Sequence, residues 1–268
     1  MTTTAATTAA PTGVPVRRAP KAGGFSLGFL ALEIRRLLRN RRTLVFTVVL
    51  PPAFYFLFGG ASYSGESAGR GNVSAYVMIS LAVYGAMIAT TSAGASVSVE
   101  RAVGWSRQLR LTPLSPVAYI LTKLLAAMVM GALAVAVVFL AAGVVGGARM
   151  DVWVWVVSGL VAWLGALVFA ALGLFAGYLL PSENVMQLLG PLLAVLAFLG
   201  GLFVPLDVLG ETFRTLAEYT PAYGVGALAR MPLTDEGSLL TAVLNVVVWT
   251  VVFVAGAALR FRRDTARV

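Results

Sequence analysis

Cysteine and histidine are both missing from this 268-residue chain. That excludes a disulfide framework, a thiolate or imidazole metal site, a cysteine nucleophile and any His-dependent triad. Charge is scarce: Asp, Glu, Lys and Arg make up 12% of the residues, against about a quarter in a soluble domain. Only two lysines occur, Lys21 followed by Ala and Lys123 followed by Leu. A phosphate-binding G-x-x-x-x-G-K-[ST] loop, whose Lys reaches the phosphates and whose Ser or Thr holds magnesium, is therefore absent. Acids are fewer than bases, eleven against twenty, and no acid lies deep in a long apolar run. Proton-coupled transport, which places Asp, Glu or His inside spans, is disfavoured. An intramembrane protease lacks its acid pair. No period of 20–50 residues marks a repeat architecture.

What fills the chain is apolar surface, 59% of residues, with a mean hydropathy of +0.89. This is the composition of an integral membrane protein, and the spans are expected to be helices. Six runs are long enough: Thr43–Ala61, Val73–Val99, about Val117 to Gly146, Val152–Leu180, about Val185 to Leu206, and Leu239–Leu259. Residues 1–24 are low in complexity and have no apolar signal region; they read as a disordered tail. Residues 25–268 form one membrane domain.

Six spans put both termini on one side. Eight Lys/Arg lie in residues 1–42, four in 100–123 and four in 260–267, whereas Arg70, Arg149, Arg214 and Arg230 fall on the other side. Sixteen against four places the termini in the cytoplasm. The net charge of +9 is thus read as a topology signal rather than a nucleic-acid surface.

Several segments carry more than hydropathy. In "FSLGFLALEIRRLLRNRR", Leu27, Leu30, Ile34, Leu37 and Leu38 recur at helical spacing among arginines; this is an amphipathic helix for the membrane interface, or a simple positive anchor. Pro51-Pro52 break span one, for packing or as a hinge. Span two is lined by Ser80, Thr90, Thr91, Ser92, Ser96 and Ser98, expected to hydrogen-bond between helices. Gly173 and Gly177 in span four allow close helix approach. Residues 207–238 are too long for a turn; Val208, Phe213, Leu216 and Tyr219 predict one or two short outer helices, with a re-entrant course open.

The segment "VSVERAVGWSRQLRLTPLSPVAY", residues 97–119, interrupts the apolar pattern. Threading Glu100, Arg101, Arg107 and Arg110 through lipid costs on the order of 10 kcal/mol at about 2.5–3.5 kcal/mol per charge. It belongs in water or against another protein. Read alone, it is either an ordinary positive-inside loop or a docking segment.

"ERAVGWSRQLRLTPLSPVAYILTK" resembles the first cytoplasmic loop of ABC-2 type transporter permeases, the membrane subunits of ATP-binding-cassette exporters, in the daunorubicin-resistance-type and related multidrug form. Glu100-Arg101, Gly104, Leu109, Thr112-Pro113-Leu114-Ser115-Pro116 and Lys123 fall in the family's order. "LEIRRLLRNRRTLVFTVVLPPAFYFLFG" and "GGLFVPLDVLGETFRTLAEYTPAYGVGALAR" are similar to its entry helix with span one and to its fifth span with external segment. One departure is Arg107, where many members have an acid after the loop glycine.

The resemblance implies that the loop forms a coupling helix seated in a groove of a separate ATPase subunit. In that role Leu109 and Leu111 bury, Arg107 and Arg110 face acids, Pro113 stops the helix and Pro116 starts the next. Glu100, Arg101, Gly104, Thr112 and Leu114 complete the loop, with Glu100 and Arg101 as a rigid lever. Two ATPase subunits are implied, which bind the ATP and magnesium; this chain needs no cofactor. A second permease chain, identical or similar, gives twelve spans in the plasma membrane. Phe46 and Tyr55 are candidates for an apolar path that exports a hydrophobic or amphiphilic molecule. An exporter of lipid-linked glycan and a non-transport scaffold are the rival readings.

Overall fold

The computed structural model describes residues 21–58, 60–104 and 114–266. The described chain is all-helical apart from an antiparallel pair of two-residue strands, β1 (Ser67–Ala68) and β2 (Gly71–Asn72). A 3-10 turn at Lys21–Gly24 leads into α1 (Leu27–Arg39), capped by the Ser26 side chain. Span one is α2 (Arg41–Val48) and α3 (Leu50–Leu57); span two is α4 (Val73–Ala95) continued by α5 (Val97–Ala102). Span three is α6 (Pro116–Val144), and span four is α7 (Val152–Gly165) with α8 (Leu167–Leu179). Span five is α9 (Ser182–Leu199). After it come α10 (Leu206–Leu209), α11 (Glu211–Glu218) and α12 (Pro221–Thr234), and then span six, α13 (Leu239–Ala266).

Five of these spans are long and apolar enough to cross a membrane; the apolar part of span one, Leu44–Leu57, is shorter. With its basic first turn it reaches from 41 to 57, about 25 Å at 1.5 Å per residue, short of a ~30 Å hydrocarbon core. The break falls at Val49, just ahead of the two prolines. Pro51 is buried, and its ring lies where a side chain on Gly85 of span two would sit. Pro51 therefore packs against span two.

Span two is the axis of the bundle. Small residues let its neighbours close on it, and 78% of its apolar window is buried, against 22% for span five and 17% for span six. The glycine expectation for span four holds. A Cβ on Gly173 would stand 2.2 Å from the Thr91 carbonyl oxygen, and one on Gly94 2.6 Å from the Ala170 carbonyl oxygen. Backbones in contact let hydroxyls reach across: Thr91 donates to the Phe169 carbonyl at 3.2 Å, and Thr90, which bonds the Ala86 carbonyl of its own helix at 2.8 Å, stands 3.2 Å from the Ala166 carbonyl. Ser96 and Ser98 instead bond carbonyls of their own helix.

Span five ends at Leu199 rather than near Leu206. Gly200 and Gly201 follow, and Gly201 adopts a left-handed φ of 69°. Of the helices beyond, α11 is amphipathic and largely exposed, whereas α12 is buried by Ala222, Val225, Ala229 and Leu233. α12 packs among spans two, four and six. Its Val225 lies against Gly165, midway along span four, so its course is re-entrant. The irregular backbone between α11 and α12 is satisfied by span six. Asn245 donates to the carbonyls of Glu218 (2.7 Å) and Thr220 (3.1 Å), and Trp249 donates to that of Tyr219 (3.0 Å). Non-helical backbone at membrane depth requires such partners.

Candidate functional site: the frame of the charged loop

Residues 105–113 carry Arg107, Leu109, Arg110, Leu111, Thr112 and Pro113, and they lie outside the described residues. Both edges of this loop are described, and each is held by specific contacts.

On the leading edge, span two leaves the bundle through a turn at Ser96 and continues as α5, which presents Glu100 and Arg101. Glu100 is 3% exposed. Its carboxylate accepts from Lys123 Nζ (2.5 Å) and Arg36 NH1 (2.6 Å) on one oxygen and from the Tyr119 hydroxyl (2.6 Å) on the other. Lys123, 3% exposed, also meets Glu33 Oε2 at 2.7 Å. Glu33 and Arg36 come from α1, Glu100 from α5, and Tyr119 and Lys123 from the first turns of span three. Tyr119 and Lys123 stand four residues apart and share a helix face. Two buried carboxylates thus meet one buried ammonium and one half-exposed guanidinium, so their charges balance. Isolated, any of the three buried charges would be costly.

Arg101 turns the other way. Its guanidinium donates to the carbonyls of Gly177 (3.0 Å) and Tyr178 (2.9 Å) and lies 5.7 Å from the centre of the Tyr178 ring. These carbonyls belong to the last turn of span four, where helical acceptors lack backbone partners and a cation is favoured. Gly104 closes the leading edge with φ 74°, a conformation natural to glycine.

On the trailing edge, Ser115 caps span three by accepting from the Ala118 amide (3.2 Å), and Pro116 takes the first helical position, as expected. Leu114 packs partly buried beside Val97, Tyr119 and Tyr178. The Ser115 amide also donates to the Gly23 carbonyl at 2.7 Å. Residues 21–24, at the edge of the expected tail, are therefore bound to the loop. The ring of Phe261, near the end of span six, meets those of Tyr119 and Tyr178. The start of span three, the ends of spans four and six and the start of α1 thus gather at one end of the bundle, where the described residues begin and finish.

The structure brings Glu100 and Arg101 together with residues that the loop reading left without a role. Glu33, Arg36 and Tyr119 were unassigned, and Lys123 entered only as part of a resemblance. A signal was available: Glu33 is the lone acid of α1 and falls on its apolar side, between Leu30, Ile34 and Leu37. The two path candidates separate. Phe46 is half exposed, whereas Tyr55 is fully buried, its hydroxyl clustered with that of Ser74 and the carbonyl of Gly146. Tyr55 packs inside the chain in this structure.

No group of three or more potential metal ligands occurs among the described residues. The frame joins α1 to spans two, three and four around one loop. The described chain is thus a multi-pass helical bundle with a charged network at one end.

The family model for the ABC-2 type transporter matches residues 29–230, about three quarters of the chain, and the chain belongs to that family. It is 28% identical over 196 residues to the protein named "Putative transport permease YvfS" of Bacillus subtilis (strain 168), covering 73% of this chain and 80% of that one. The matched region is a permease membrane domain without an ATPase domain. Permeases of this family associate with ABC ATPase subunits.

Proposed function

We propose that this chain is the permease subunit of an exporter that moves a hydrophobic or amphiphilic small molecule out of the cell. Two separate ATPase subunits, binding ATP and magnesium, drive a pair of permease chains. Both termini face the cytoplasm of a cell whose plasma membrane the pair spans. The loop at 105–113 seats on the ATPase. Leu109 and Leu111 supply apolar anchors, Arg107 and Arg110 meet acids, and Thr112 and Pro113 end the segment.

The observation that carries this reading is the buried charge network on Glu100. A topology signal needs only positive charge in water. Here an acid, a lysine and a second acid are buried together at the base of the loop, joined to α1 and span three, while Arg101 is fastened to span four. Such bracing lets a push on the loop reach several spans as a rigid-body shift. For the path, the support is on the exposed apolar faces of spans one and five, which include Phe46, Phe56, Leu192 and Val195.

The test is a mild-detergent pull-down of the tagged chain from its native membrane. A stoichiometric ATPase carrying a P-loop should accompany it and be lost from R107E/R110E. Leu109→Glu should reduce export while membrane insertion stays normal. A chain that emerges alone in several detergents would make it a scaffold. Co-purification with unchanged drug tolerance but altered surface glycan would make the cargo a lipid-linked glycan.

A further inference from the structure

The interface helix α1 has two exposed stripes, side by side. Leu32, Arg35, Arg36 and Arg39 recur at i, i+3, i+4 and i+7 and so share a face. With Asn40 they line an open groove of about 420 Å³. Leu27, Ala31 and Leu38 form the adjacent stripe, with Leu27 75% exposed. The opposite face buries Glu33 and Leu37 in the bundle.

Charge in the groove is one-sided. Neither Arg35 nor Arg39 makes an ion pair among the described residues, and neither faces an acid across the groove. Arg36 uses one guanidinium nitrogen on Glu100 and keeps its side chain half exposed. Three cations thus converge on one concavity, and only one of them has an internal counter-charge. An anion with several acceptor oxygens fits this arrangement, because guanidinium forks match phosphate geometry.

We propose that this groove binds the phosphate of an anionic phospholipid in the leaflet on the loop side, with its acyl chains along Leu27, Ala31 and Leu38. The apolar stripe decides between a lipid and a free anion, since a soluble phosphate has no use for exposed leucines beside it. The site needs the orientation proposed above but not the ATPase, so it can be tested on this chain alone.

The full-length chain, purified in neutral detergent, would be offered equal amounts of phosphatidylglycerol and phosphatidylcholine, and retained lipid counted by native mass spectrometry. Phosphatidylglycerol should be retained in preference. The preference should fall about fivefold for each arginine removed in R35Q and R39Q, return in R35K/R39K, and stay unchanged in R41Q, which lies outside the groove. Equal retention of the two lipids, or a preference that survives R35Q/R39Q, would overturn the proposal. Displacement of the lipid by millimolar inorganic phosphate would show a free-anion site instead. A double variant that keeps its lipid but loses a co-purifying ATPase would make the groove a protein interface.

Discussion

Lys123 is the residue on which the loop frame turns, because it is the buried cation between the two acids, 2.7 Å from Glu33 and 2.5 Å from Glu100, whereas half-exposed Arg36 reaches Glu100 at 2.6 Å but Glu33 only at 3.8 Å. Lys123→Met would leave Glu33 and Glu100 buried with Arg36 as their only cation. Removing one partner of a buried ion pair costs about 3–5 kcal/mol, so thermal unfolding in detergent should show a large loss. Glu33→Gln should cost much less: Lys123 and Arg36 both keep Glu100, and the surplus charge sits on half-exposed Arg36. Equal losses from the two substitutions would mean that the acids do not depend on a shared lysine. Tyr119→Phe keeps the ring and removes one hydrogen bond to a carboxylate, for which about 1.5–3 kcal/mol is expected.

Among the elements, spans two and four stand so close that their sequences leave no slack. Gly173→Val would drive a branched side chain into the Thr91 carbonyl. The variant should fail to give a monodisperse peak in fluorescence-detected size exclusion. Gly190→Val in span five meets nothing within 4 Å and should behave as wild type. The first of these contacts was legible in advance, because two glycines four apart on a helix signal close approach. Span positions, the α1 amphipathic pattern and the proline start of span three were legible for the same reason, since periodicity and turn chemistry are local. The depth of α12 was not. Its sequence, PAYGVGALARMPLT, is apolar on average but interrupted by Pro and Arg, and only the partners of Arg230 explain the Arg. That buried side chain donates to Ser80 and the Gly201 carbonyl and stacks over Tyr76, contacts 29 and 150 residues away in sequence. The position of Glu33 on the apolar side of α1 hinted at burial, but its buried partner Lys123 lies 90 residues on, in span three, and no local pattern names it.

For the whole molecule, burial is lopsided. Span two is enclosed, while spans five and six and the outer side of span one keep broad apolar faces. If a second permease chain covers the face of spans one and five, the absence of native cysteine makes the contact easy to read. Phe46→Cys should give a disulfide-linked or maleimide-bridged dimer in native membranes, whereas Tyr55→Cys, sealed inside one chain, should not. Dimer formation from neither Phe46→Cys nor Leu192→Cys would remove that face from the interface.

The hydrogen bonds from Asn245 and Trp249 to the turn at 218–220 also order events at the ribosome. The carbonyls of that turn emerge 25–30 residues before the side chains that satisfy them, a few seconds of synthesis at about 5–20 residues per second. During that interval α12 has no lasting place in the bilayer core. It is expected to settle only once span six is made and supplies these donors. Chains truncated before residue 239 should therefore leave residues 218–234 open to protease, and chains extended through Trp249 should close them off.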